Sequence, residues 1–259
     1  MVYVHNIDPV LFDLGFLQIR YYGLVYVIGF FIAYGLLTYF IKKKRIALTE
    51  DERDTFLLYA ALGVLIGSRM FYFLFYNFST IIDNPLQLFK IWEGGMSFHG
   101  GLIGVLTGGY IFCKQYKKEF YEMADIVVIP AALGLGFGRI ANFINGELYG
   151  RPTSLPWAVD FGDGIPRHPS QLYESAKNFI IFAILWLLKD KNLKKGTLFW
   201  TFIMLYGAFR FTIEFVRQPD PQLGFVLFNF LTMGQILTGI MAATGALILV
   251  KWYVWGKQP

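Results

Sequence analysis

One cysteine, Cys113, and three histidines, His5, His99 and His168, are all that this 259-residue chain offers a disulfide or a borderline-soft metal. A lone cysteine excludes an intrachain disulfide and a cysteine-cluster metal site, and a three-histidine site would consume every histidine in the chain. Neither a catalytic metal nor a cofactor is expected. Charge is scarce too: 16% of residues are charged against 56% hydrophobic, a balance too apolar for an ordinary soluble enzyme and suited to an integral membrane protein. Met1–Leu17 carries His5, Asp8 and Asp13 but no basic stretch, so it does not read as a cleavable secretory signal and the first apolar segment is expected to be retained. No Gly-x-Ser-x-Gly elbow, tandem repeat or long polar tail is present.

What is abundant is apolar sequence of spanning length. Blocks fall near Leu17–Ile41, Phe56–Phe78, Phe98–Phe112, Ala124–Ile144, Leu172–Leu188, Leu198–Phe215 and Phe225–Val250, against about 20 residues needed per helical crossing. The pattern predicts an all-α polytopic membrane protein, one domain over residues 1–259, with seven transmembrane helices. The third block is short and glycine-laden, which suits a tilted or broken crossing. Basic clusters at Lys42–Arg45, at Lys114, Lys117 and Lys118, and at Lys189, Lys191, Lys194 and Lys195 follow every second block, with Lys251 and Lys257 after the last. The positive-inside rule then puts the N-terminus outside and the C-terminus in the cytoplasm. Divided among short loops, the net charge of +5 reads as orientation and excludes a concentrated nucleic-acid-binding face. Residues 145–170, with Pro152, Pro156, Pro166, Pro169, Gly162 and Gly164, read as a small extracytoplasmic head. Cys113, beside Lys114, reads as a buried or interfacial filler.

Ionisable residues at the ends of such blocks, or inside them, are expensive and mark function by default. Gly138–Glu147 is the densest polar stretch: helical spacing puts Arg139 and Asn142 on one face, with Asn145 and Glu147 toward the headgroup level. A planar guanidinium can clasp phosphate through two charge-assisted hydrogen bonds, and asparagine adds a neutral donor. Tyr206, Arg210 and Glu214 recur at four-residue intervals and form one stripe, extended by Arg217; Glu214 would balance Arg210. His99, set among Gly94, Gly95, Gly100 and Gly101 with Glu93 nearby, is a group able to take a proton near neutral pH. Ser170 is expected to cap the helix that begins near it, with Tyr173 and Glu174 in its first turn. Arg69 and Tyr21–Gly23 add polar atoms to other crossings. A structural ion-pair network, a transporter of an anionic lipid or metabolite, and a lipid enzyme all remain compatible with these residues taken alone.

Several separated stretches together narrow the choice. Arg20–Gly23, Gly67–Arg69, Gly94–Gly101, Gly138–Gly150, Arg167–Glu174 and Tyr206–Glu214 make the chain resemble, over nearly its whole length, the bacterial prolipoprotein diacylglyceryl transferases. Ala141 replaces the glycine usual in that family between Arg139 and Asn142, a small-for-small change. The resemblance implies transfer of a diacylglyceryl group from phosphatidylglycerol to the lipobox cysteine of a membrane-bound preprolipoprotein, at the bacterial cytoplasmic membrane, by an enzyme acting as a monomer. It implies His99, Arg139 and Arg210 as catalytic residues and Tyr22, Asn142, Glu147, Tyr206 and Glu214 as substrate-binding residues. The nucleophilic sulfur would be the substrate's, which fits a chain with no reactive cysteine of its own. A transporter would reuse the same arginines, but the internal repeats that often support alternating access are not evident.

Overall fold

A computed structural model describes residues 2–15, 18–90, 94–218, 225–227 and 231–256. Leu17, Glu93 and Lys257, each used in the reading above, lie outside the described residues. The elements run β1 (Tyr3–Val4), β2 (Val10–Asp13), β3 (Gln18–Arg20), α1 (Tyr21–Lys42), α2 (Glu50–Tyr76), α3 (Phe78–Asp83), a single 3-10 segment (Pro85–Phe89), α4 (Phe98–Gln115) and α5 (Phe120–Ile144). After these come β4 (Val159–Asp160), β5 (Pro166–Arg167), α6 (Ser170–Leu188), α7 (Thr197–Ile213), β6 (Phe225–Leu227), β7 (Leu231–Thr232) and α8 (Met233–Val254). Helices α1, α2, α5 and α8 are long and apolar enough to cross a membrane, and α7 is a shorter apolar helix. The chain is an α-helical, multi-pass membrane protein.

The two helix starts that depart furthest from the apolar block edges are those of α2 and α8, and capping accounts for both. The second block begins at Phe56, yet α2 starts six residues earlier, at Glu50: the Thr49 side chain accepts from Glu52 N while Glu52 reaches back to Thr49 N, so a polar first turn is held in the helix. The last block opens at Phe225, but α8 starts at Met233, where Thr232 and Gln235 form the same reciprocal box. Apolarity marks what lipid tolerates, whereas the cap decides where the helix begins.

The chain divides into two compact units, residues 34–123 and residues 1–33 with 124–259, so α1 and α5 each contribute to both. In the first unit, α2 and α4 cross backbone to backbone. A Cβ on Gly67 would lie 2.3 Å from Gly100 O, and one on Gly104 would overlap Gly63 O. Small residues four apart let transmembrane helices approach this closely, and van der Waals packing then supplies the attraction that hydrophobicity cannot supply in lipid. Arg69, on α2, is wrapped in carbonyl oxygens: its guanidinium donates to Leu88 O at 3.2 Å, Gly95 O at 3.1 Å, Gln87 O at 2.6 Å, Lys90 O at 2.8 Å and also to Gly94 O. That guanidinium fixes the chain entering α4, whose N-cap Ser97 accepts from Gly100 N and donates its own N–H to Ser68 O.

In the second unit, α7 packs on α6 and α8. Gly207 faces Thr238 O and Ala242 N, and Gly245 faces Met204, so α7 and α8 also cross closely. Asp125 of α5 accepts from Gly196 N at 2.7 Å and Phe199 N at 2.8 Å, supplying α7 with the cap that Gly196 cannot. Between α5 and α6 the proline-rich segment folds as a small β structure: β4 pairs antiparallel with β5 and parallel with β1. A further bridge from Pro152 to Arg167 closes the segment on itself, and one from Gly150 to Arg217 ties it to the chain just after α7. Cys113 is buried, as expected of a filler.

Enlarging Gly104 should break the α2–α4 crossing. Gly104→Leu is expected to cost about 1–3 kcal/mol by overpacking, whereas Gly109→Ala, whose Cβ would meet Phe56 at an ordinary 3.8 Å, should be neutral. Thermal unfolding of both variants in detergent checks this, and equal midpoints would argue against the close crossing.

Candidate active site

Where α5 and α7 end and α6 and α8 begin, the second unit gathers a buried ionic cluster. Its centre is Glu174, only 1% exposed. Arg139 Nε lies 3.0 Å from Glu174 Oε2, and Arg210 Nη1 lies 3.6 Å from Glu174 Oε1. Arg210 Nη1 also meets Glu214 Oε2 at 2.5 Å, while Arg217 Nη1 approaches the same oxygen at 3.8 Å. Arg210 lies in the last turn of α7, where the partial negative charge of the helix end favours a cation.

Neighbouring backbone was shaped around these groups. Glu214 Oε1 accepts from the hydroxyl of Thr232, the α8 cap, at 3.0 Å. A Cβ on Gly234 would come within 2.7 Å of that same oxygen, so the first turn of α8 has room for the carboxylate only because residue 234 is glycine. On the α5 side, Arg139 Nη1 donates to Asn142 Oδ1 at 3.3 Å, and Asn142 Nδ2 donates to Glu147 Oε1 at 2.7 Å, with Asn145 Nδ2 at 3.2 Å on the same oxygen. Ala141, at the position where the resembled family has glycine, is fully buried.

Seven of the eight residues singled out from sequence fall in this unit. Arg139, Asn142, Glu147, Arg210 and Glu214 are joined by the contacts above. Tyr206 sits one turn before Arg210 on α7, and Tyr22 of α1, hydrogen-bonded to Tyr26 at 3.1 Å, is within electrostatic reach of Glu147 and Arg139. His99 belongs to the other unit, exposed in the first turn of α4 behind the Ser97 cap.

Two sequence readings change. Ser170 does not cap α6: the cap position is Pro169, and the Ser170 hydroxyl instead donates to Leu148 O at 3.1 Å, a carbonyl of a residue held at φ +58°. Glu174 falls just past the first turn of α6, which holds no acidic residue, and is the carboxylate shared by both arginines. A signal for this was available in the sequence. Ser170, Gln171, Glu174, Ser175 and Asn178 follow the i, i+1, i+4, i+5, i+8 spacing of one helix face, and all five are buried. A polar face inside a membrane protein points to a partner rather than to lipid.

The cluster can therefore do one thing well. Convergent cations, kept away from water in a helical membrane protein, suit an anionic group such as the phosphate of a lipid. These features define a polytopic membrane protein with an ionic cluster gathered at its helix ends. A family model for prolipoprotein diacylglyceryl transferase matches residues 9–251. Proteins named phosphatidylglycerol–prolipoprotein diacylglyceryl transferase are 47% identical over 248 residues in Geobacter sulfurreducens, covering 95% of each chain. The counterparts in Coxiella burnetii and Legionella pneumophila are 46% and 45% identical, over 98% of both chains. The chain belongs to the prolipoprotein diacylglyceryl transferase family.

Removing the shared carboxylate should cost more than removing a peripheral one. Glu174→Gln takes the carboxylate from the partly buried Arg139 and leaves Arg210 with Glu214 alone, and breaking a buried pair from one side costs about 3–5 kcal/mol; Glu147→Gln, whose oxygen accepts only from amides in the contacts above, should lower the unfolding midpoint far less. Equal losses would deny Glu174 its central place.

Proposed function

We propose that the Glu174-centred cluster is the reaction centre at which this chain, like the relatives whose names state it, moves the diacylglyceryl group of phosphatidylglycerol onto a lipobox cysteine. The chain is a phosphatidylglycerol–prolipoprotein diacylglyceryl transferase. In this reaction the substrate thiolate attacks the glycerol carbon bearing the phosphate ester. A carbon–sulfur bond forms, the carbon–oxygen bond to phosphate breaks, and glycerol phosphate departs with the bonding pair. The thiol proton passes to a base. Negative charge thus accumulates on the leaving phosphate, and the largest contribution a protein makes to such a step is donors already aimed at that charge.

One observation carries the assignment: Arg139 and Arg210, from different helices, share Glu174. Arg210 Nη1 stands between two carboxylates, Glu214 Oε2 at 2.5 Å and Glu174 Oε1 at 3.6 Å, so its guanidinium is held in place before a phosphate arrives. Asn142, Glu147, Tyr206 and Glu214 hold or border the two arginines, and Tyr22 stands within their field. His99 is assigned to deprotonating or orienting the incoming cysteine, because a thiol is mostly protonated near neutral pH and the thiolate is the nucleophile. Both substrates are lipid-anchored, so entry through a lateral gap between helices keeps their apolar parts in hydrocarbon.

Arginine geometry is the test. Arg139→Lys and Arg210→Lys retain charge but lose the fork, and each should lower transfer on the order of 100-fold, equivalent to two or so charge-assisted hydrogen bonds, while unfolding midpoints change little. The assay is diacylglyceryl thioether formation on a lipobox peptide, read by mass spectrometry. Near-normal turnover in a folded variant removes that arginine from the role.

The same reading includes seven crossings, with residues 145–170 as a head outside the membrane and the C-terminus in the cytoplasm. The recurrence of basic loops after alternate helices supports it. Cysteines substituted at Lys43 and Lys191 should react with an impermeant thiol reagent only after the membrane is opened, and one at Asp163 should react in intact cells. Labelling of Asp163 and Lys191 positions from one side would defeat this topology.

A further inference from the structure

Lys177 lies on α6 one turn beyond Glu174 and is 3% exposed. Its ammonium sits 3.6 Å from the centroid of the Tyr206 ring on α7, the residue one turn before Arg210. So α6 and α7 meet in two rungs, Glu174 with Arg210 and, one turn deeper, Lys177 with Tyr206. Lys177 Nζ has no hydrogen-bond acceptor among the described residues. An ammonium carries three donors, and burying them without acceptors is costly. The ring face of Tyr206 offsets part of that cost through the cation–π attraction but supplies no oxygen.

Charge balance points the same way. Arg139, Lys177, Arg210 and Arg217 all act electrostatically on Glu174. Against these four cations stand Glu174 and Glu214 directly, and Glu147 through Asn142. Lys177 is the cation of this set with no carboxylate within ion-pair distance among the contacts named.

We propose that Lys177 is a further substrate-binding residue, its ammonium held on the Tyr206 ring so that it donates to a phosphodiester oxygen of the anionic lipid from the deep side of the arginine pair. This rests on the transferase reading above and adds a third cation to it. The ring fixes where the ammonium stands, so the donor is positioned before the lipid arrives. Tyr206 thereby acts as a positioning residue: its face orients Lys177, while its own helix carries Arg210.

The test compares wild type with Lys177→Met and Lys177→Arg, following kcat and KM for phosphatidylglycerol and the unfolding midpoint in detergent. Lys177→Met is expected to lower kcat/KM on the order of tenfold through KM, as loss of one charge-assisted hydrogen bond predicts, and Lys177→Arg to recover part of it. A Lys177→Met enzyme within twofold of wild type overturns the proposal, as does an equal loss in kcat alone accompanied by a lower midpoint, which would make Lys177 a structural counter-ion to Glu174. Should Lys177→Met not fold, the wild-type protein still decides. Acetylation of Lys177, mapped by peptide mass spectrometry, should slow in micelles containing phosphatidylglycerol and not in micelles containing diacylglycerol, which lacks phosphate. Equal acetylation in both refutes the contact. Absence of thioether formation by wild type would instead overturn the transferase reading, and protection by phosphatidylglycerol would then leave Lys177 as a phosphate-lipid contact in a protein of other activity.

Discussion

Glu174 is the constraint around which the second unit is built. A carboxylate buried to this extent is tolerable only beside cations, and cations at the ends of apolar helices are tolerable only beside a carboxylate. The resulting mutual requirement draws three helices together: Arg139 from α5, Glu174 from α6 and Arg210 from α7. The position of α8 then follows, because Glu214 continues the network into the Thr232 cap and occupies the space that Gly234 leaves open. The β segment is anchored to the same ring, through Gln171 donating to Glu147 O and Arg151 donating to Arg217 O. Hydrocarbon gives apolar helices no reason to prefer one neighbour over another, so a shared charge is an efficient way to specify which ends meet.

Arginine serves two different ends in this chain, and hydrogen-bond saturation separates them. Arg69 directs its guanidinium entirely at backbone carbonyls and so acts as a clasp on the loop before α4. Arg53 is similarly occupied, by Tyr34, Thr38 and Asp54. Arg210, in contrast, is held by carboxylates without aligned hydrogen bonds at Nη1. A saturated guanidinium maintains shape. One held by carboxylates where several helices meet is placed by charge rather than by backbone, and this distinction is why the proposed phosphate site falls in the second unit while Arg69 is left to structure.

The helical membrane character was legible because apolar blocks of spanning length are a composition effect, visible without any partner. Arg139 with Asn142, and Arg210 with Glu214, were legible because helical periodicity alone puts each pair on one face. Glu174 and Lys177 were less accessible. Their importance arises between helices, and periodicity says that α6 has a buried polar face without saying which charge on another helix answers it. Ser170 shows the same limit at shorter range: serine at a helix start is a good prior for a cap, yet the nearby Leu148 carbonyl captured its hydroxyl. The starts of α2 and α8 depart from the apolar blocks for a related reason, since a reciprocal cap is a four-residue signal that hydropathy averages away.

An enzyme whose substrates bring both the nucleophile and the leaving group needs little reactive chemistry of its own, and the composition agrees, with one buried cysteine and three histidines. What remains for the protein is to hold an anion at membrane depth and to stabilise it more as its charge grows. A fully neutralised cluster would bind phosphate poorly, and one with several surplus cations would be too costly to bury. A cluster that keeps Arg139 and Arg210 beside the shared Glu174 lies between these limits: the phosphodiester adds one negative charge on binding, and the second that develops as the carbon–oxygen bond breaks meets donors already in place. The same ionic network that selects the helix neighbours therefore also fits the proposed transition state, so fold and catalysis would share their central residue.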